Sequence, residues 1–86
     1  MKDYIKQVES RYDDTKKHLQ SLVYLQDVKV SRRAMHQLKC IYSDWCSLNG
    51  AILMPDGEFS LKHHIDNLTL ALDDAEGFIL EVAKSY

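Results

Sequence analysis

From Ser60 to Tyr86, apolar residues recur at alternating spacings of three and four: Ile65, Leu68, Leu72, Ala75, Ile79 and Val82. That spacing lays them along one face of an α-helix. A long helix with one apolar face is stable in water only when that face is covered. The rest of this 86-residue chain must therefore supply the cover.

Residues 2–27 carry a matching pattern in Ile5, Val8, Tyr12, Thr15, Leu19 and Leu22, with Lys2, Asp3, Lys6, Glu9, Asp13, Lys16 and Lys17 on the other side. Oppositely charged pairs three or four apart add a few tenths of a kcal/mol each. A short connection follows at 28–31, and Ser31 is the expected N-cap of a second helix. That helix spans about 32–49 with the stripe Ala34, Leu38, Ile41, Trp45 and Leu48, widened by Met35, Tyr42 and Cys46. Asn49–Gly50 reads as its stop. Residues 50–59 hold a Pro55-Asp56-Gly57 turn, either in a short β-hairpin or in an ordered loop. Ser60 is the expected cap of a third helix over 61–85.

The fold expected is all-α, a three-helix up-down-up bundle with coiled-coil-like packing, and one domain at this length. The competing arrangement pairs the first two helices in a hairpin and lends the third to a second copy. Three glycines and one proline suit long helices with few turns. A 45% hydrophobic and 28% charged composition is that of a globular domain rather than a disordered chain. No uncharged run approaches the roughly 18 apolar residues of a membrane span, and residues 1–10 do not read as a signal peptide. Cytoplasm is the expected compartment. Cys40 and Cys46 are six apart on one helix, roughly 9 Å between Cα atoms, too far for a bridge.

Charge is unevenly distributed. Residues 1–28 balance, residues 29–54 carry net +3, and residues 55–86 carry net −5. Attraction between the second and third helices, or solvated faces, accounts for this most simply. The sharper reading has the acidic third helix docking a basic surface. Arg32 and Arg33 fall in the expected first turn of the second helix, where positive charge opposes the helix dipole. With Lys29 and Lys39 they form a candidate phosphate-gripping face, although nucleic-acid binders usually carry a basic overall balance.

Chemical motifs are sparse. His36 and Cys40 are four apart, and His63-His64 neighbours Asp66 and Asn67, but neither set supplies the four ligands of structural zinc. Surface histidines and an incidental thiol explain them. No spacing singles out a nucleophile with its base and orienting acid, and there is no glycine-rich phosphate loop. The expectation is a non-enzyme without catalytic, metal or cofactor residues. Trp45, in the middle of its stripe, is expected at the centre of the core.

More apolar residues are present than three stripes need. Leu70 falls opposite the stripe of the third helix, among Asp66, Asp73, Asp74, Gly77 and Glu81. Phe78 and Leu80 lie on its flanks, and Tyr24, Leu25 and Val28 lie off the first stripe. A cluster of that kind marks a partner or self-association. The expected function is a small protein-interaction module, a regulator or inhibitor acting by binding another protein as a homodimer. Its contact residues are expected among Tyr24, Leu25, Val28, Leu70, Asp73, Asp74, Phe78 and Glu81. The alternative is a nucleic-acid-binding regulator using Lys29, Arg32, Arg33 and Lys39.

Overall fold

The computed structural model describes residues 2–53 and 58–85. They form three helices, α1 (Lys2–Val23), α2 (Val28–Leu53) and α3 (Glu58–Ser85), with one short connection at 24–27. Each helix packs against both others, and no strand occurs among the described residues. The pairings Tyr12–Trp45, Arg33–Glu81 and Arg11–Glu76 are compatible with the up-down-up order. The bundle measures 45 × 18 × 15 Å.

The stripes converge as their periodicity predicts. Leu19, Ala34, Ile41, Leu48, Leu68, Leu72 and Ala75 are fully buried, with Val8, Tyr12, Ile65 and Val82 nearly so. Thr15 is the one buried polar side chain among the described residues. Ile5, Leu22, Leu38 and Ile79 pack against this core while half-buried.

Several expectations shift. Trp45 is half-buried rather than central; its ring stacks on Tyr12 with centroids 4.8 Å apart and planes 14° apart. Ile41 and Leu48 are the fully buried large side chains of α2. Met35 and Tyr42 do not widen the core but are 46% and 61% exposed, and Cys46 is exposed as well. Phe78, expected at a contact surface, is 4% exposed and belongs to the core. α3 lies between two helices, so the covered arc is wider than its central stripe and takes in the α2 flank where Phe78 sits.

The helix boundaries follow from capping. α1 ends at Val23, not near Asp27, in a turn closed by the Leu25 N–H donating to the Leu22 carbonyl at 3.2 Å. Asp27, not Ser31, caps α2: its Oδ1 accepts from the Lys29 and Val30 N–H groups at 3.0 and 3.3 Å. A carboxylate satisfies orphan donors and complements the positive helix end in one step, which a hydroxyl cannot do. The Ser31 hydroxyl donates instead to the Val23 carbonyl at 2.7 Å, tying the start of α2 to the end of α1. Arg32 and Arg33 consequently fall in the second turn, where the dipole acts weakly.

α2 runs through Asn49–Gly50 to Leu53. The Asn49 side-chain amide donates to the Trp45 carbonyl inside the helix rather than ending it. α3 starts at Glu58, ahead of the expected cap Ser60. The loop expected over 50–59 is thus helical at both ends, and the Pro55-Asp56-Gly57 turn lies outside the described residues.

Two expected outcomes test this account. Asp27→Ala should lower folding stability by about 1 kcal/mol, read as a lower urea midpoint with an unchanged slope. Burial pushes the Tyr12 phenol above its ordinary value, with Cys46, Tyr42 and Asp13 adding to the shift. Its contribution to stability is therefore complete below the unfolded value of about 10 and is lost as pH rises through the folded value. Tyr12→Phe should flatten that alkaline loss in thermal melts.

Candidate functional site

The three seams of the bundle are not equally closed. α2 and α3 share the most extensive contact, and α1 and α3 the least. The α1–α3 seam is bridged midway by Arg11. Its Nε donates to Glu76 Oε1 and its Nη2 to Glu76 Oε2, both at 2.7 Å, and Nη2 also bonds Asp73 Oδ1. The guanidinium fork matches a carboxylate at both oxygens. These hydrogen bonds, that of Glu76 foremost, hold the Arg11 guanidinium protonated even more firmly than usual.

On either side of this bridge the seam stays open. One hollow of about 370 Å³ is lined by Arg11, Asp14, Thr15, His18, Glu76, Ile79 and Leu80. A smaller one of about 130 Å³ lies against Tyr4, Gln7, Val8, Arg11 and Thr69. Leu70, Asp73, Gly77, Leu80 and Lys84 follow one another at spacings of three and four, which places them on one stripe of α3. Asp73 bonds α1 and Leu80 lines the hollow with α1, so this stripe borders the seam. Leu70 and Leu80 are 64% and 62% exposed, and Tyr4 is 50% exposed on the α1 side. At Gly77 an added Cβ would meet nothing within 4 Å.

The residues singled out from sequence are thus split between places. Asp73 borders the α1–α3 seam through Arg11, and Leu70 is exposed on the outer side of α3. Tyr24, Leu25 and Val28, exposed by 87%, 39% and 61%, form an apolar tip at the α1–α2 connection. Asp74 is exposed on α3. Glu81 lines a third hollow, of about 440 Å³, with Asp27, Lys29, Val30, Arg33, Phe78, Val82 and Ser85. Arg11, His18 and Leu80 join the site without having been singled out as contacts. Arg11 had a signal: it is the one arginine before residue 32 among several lysines.

Of the four basic residues of the nucleic-acid reading, Arg33 is set apart from the other three by its partners. Lys29 and Arg33 line the hollow that holds Glu81 and Asp27. The Arg33 guanidinium lies 4.9 Å from the Phe78 ring centroid and 3.6 Å from Glu81 Oε2. Lys29, Arg32 and Lys39, at spacings of three and seven, share one exposed stripe of α2, with His36 between them.

His36 Nε2 is 3.7 Å from Cys40 Sγ, and His63 Nε2 is 3.3 Å from Asn67 Nδ2. Among the described residues no three metal-ligating side chains converge, and no helix is long and apolar enough to cross a membrane. Cys40 and Cys46 are free thiols.

No family model, curated protein or solved structure matches the chain.

The bridge itself is testable. The Arg11 side chain is 33% exposed and its partners more so, which screens the interaction. Arg11→Met should cost less than about 1 kcal/mol at low salt. The difference in urea midpoint should shrink in 1 M NaCl, where the screening length falls to about 3 Å.

Proposed function

We propose that this chain is a small protein-interaction module that regulates or blocks another protein by binding it, without catalytic chemistry of its own. The carrying observation is the open α1–α3 seam, where Leu80 stands 62% exposed beside a hollow, with Leu70, 64% exposed, further out on α3. Isolated exposed leucines are ordinary. Here Leu80 lines a hollow in the least closed seam of the bundle, which is the geometry of a helix-receiving groove.

Self-association is the second reading, and the apolar tip of Tyr24, Leu25 and Val28 favours it. These side chains come from one five-residue stretch, so they are necessarily near one another. The nucleic-acid alternative has less support, because Arg33 is engaged by Phe78 and Glu81 and the chain as a whole carries net −2.

A photo-crosslinking residue placed singly at positions 24, 28 and 70, in the cells that make the protein, separates the readings. A discrete adduct with a different protein from position 70 is the expected result. An adduct of twice the chain mass from positions 24 and 28, with a doubled mass by light scattering, would establish the homodimer. Absence of any discrete adduct from all three positions would remove the interaction reading.

A further inference from the structure

Separately from the α1–α3 seam, we infer that the outer face of α2 takes an acidic amphipathic helix of another protein. Val28, Met35 and Tyr42 are 61%, 46% and 61% exposed, and each follows the last by seven residues. A seven-residue repeat keeps side chains on one side of a helix, and it is the spacing at which a second helix supercoils against the first. At about 1.5 Å per residue the ladder from Val28 to Tyr42 is roughly 21 Å long, or about four turns. Leu38 and Trp45, three residues beyond Met35 and Tyr42, are half-buried beside it on the side where Trp45 stacks on Tyr12. The ladder therefore has an apolar border toward α1.

Charge names the occupant. Arg32 and Lys39 stand four residues beyond Val28 and Met35, the flanking positions that choose partners in paired helices. Both are exposed, and Lys29 and His36 lie on the same outer side. Among the described residues no ion pair holds Lys29, Arg32 or Lys39, whereas Arg11 and Arg33 are paired. The one acid of α2, Asp44, is half-buried on the stripe of Arg33, nearly half a turn from the ladder. On that same side α3 brings Glu81, held by Arg33, and Asp74, which shares a stripe with Phe78 and Glu81. On the other side α1 carries Glu9 and Asp13 against Lys6, Lys16 and Lys17, so it adds no acidic surplus.

A second copy does not match this face. Laid antiparallel, two ladders would set Arg32 of one copy against Lys39 of the other; laid parallel, each would meet the mixed charges of α1. The acidic helix α3 has no apolar ladder, because Asp73 and Gly77 interrupt Leu70 and Leu80 on their stripe. Phosphates would engage the cations and leave Val28 and Met35 without use. A helix with leucines every seven residues and glutamates beside two of them engages both. Beside Tyr42 the flanking position is Cys46, exposed and uncharged at neutral pH, so the third repeat of the partner needs no acid.

The test uses three synthetic helices of about 21 residues, titrated at low salt into the isotope-labelled full chain and followed by amide chemical shifts. The first has leucines every seven residues flanked by glutamates. The second replaces the glutamates by lysines, and the third replaces the leucines by alanines. The first should move resonances over residues 28–46. Met35→Glu and Lys39→Glu should each weaken it at least tenfold; both positions are exposed, so the core is undisturbed. Lys17→Glu, the same change of charge on the outer side of α1, should leave binding within twofold. The second and third peptides should bind at least tenfold more weakly than the first. Tighter binding of a single-stranded or duplex oligonucleotide to residues 28–46 would give the face to nucleic acid and overturn the inference. Equal binding of Met35→Glu or of the alanine peptide, or no shift at millimolar concentration of the first peptide, would also overturn it. Shifts confined to residues 4–18 and 69–84 would overturn the α2 face and leave the reading at the α1–α3 seam intact.

Discussion

The bundle depends on covering the apolar face of α3. Leu68, Leu72 and Ala75 are wholly removed from water, and each helix contributes to their enclosure. Burying one leucine fully contributes about 1.5–3 kcal/mol relative to leaving it exposed. Leu19, Ile41 and Leu48 on the facing helices add burial on the same scale, which no polar interaction among the described residues matches. The ion pairs are exposed and worth at most about 1 kcal/mol each. The caps are of similar size. They choose where helices begin and how α1 and α3 are aligned, but only after apolar burial has brought the helices together.

The periodic stripes were fully legible, because a residue's place on a helix is fixed by counting. Val8, Leu19, Ile41 and Leu72 needed nothing more than spacing. The width of each buried arc was not legible. Spacing locates the centre of a covered face, whereas its edges depend on how closely each neighbour approaches. Phe78 and Leu80 lie on opposite flanks of α3; the tight α2 seam buries one and the loose α1 seam leaves the other in water. Met35 and Tyr42 show the same ambiguity on α2. Helix ends were misplaced for a different reason. Asp27 and Ser31 are both good caps, and only the path of the preceding helix decides between them. Gly50 reads as a stop, but a C-terminal glycine ends a helix only when the chain takes a left-handed turn there.

The candidate site was half legible. Leu70 and Asp73 stood out because an apolar residue among acids on the far side of a stripe has no internal use. Arg11 and His18 did not, since a charged residue beside a stripe is what any surface helix shows. Their role appears only when α3 places Asp73, Glu76 and Leu80 beside them. The site adds to the simplest account of the charge asymmetry: most of the α3 acids are solvated. The surplus acids of α3 are met chiefly from α1 through Arg11, with Arg33 of α2 making one long contact to Glu81.

The double tie at the first connection has a kinetic consequence. The Asp27 cap and the Ser31–Val23 bond fix the geometry of a four-residue link between two helices. Closing so short a loop takes little chain entropy. Contacts between the facing ends of α1 and α2 are therefore local in sequence, whereas Arg11 must find Asp73 and Glu76 more than sixty residues away. Local contacts form fast. The α1–α3 contacts, the most distant in sequence, are thus the last to form. The seam that closes last in folding is then also the one left most open in the finished molecule.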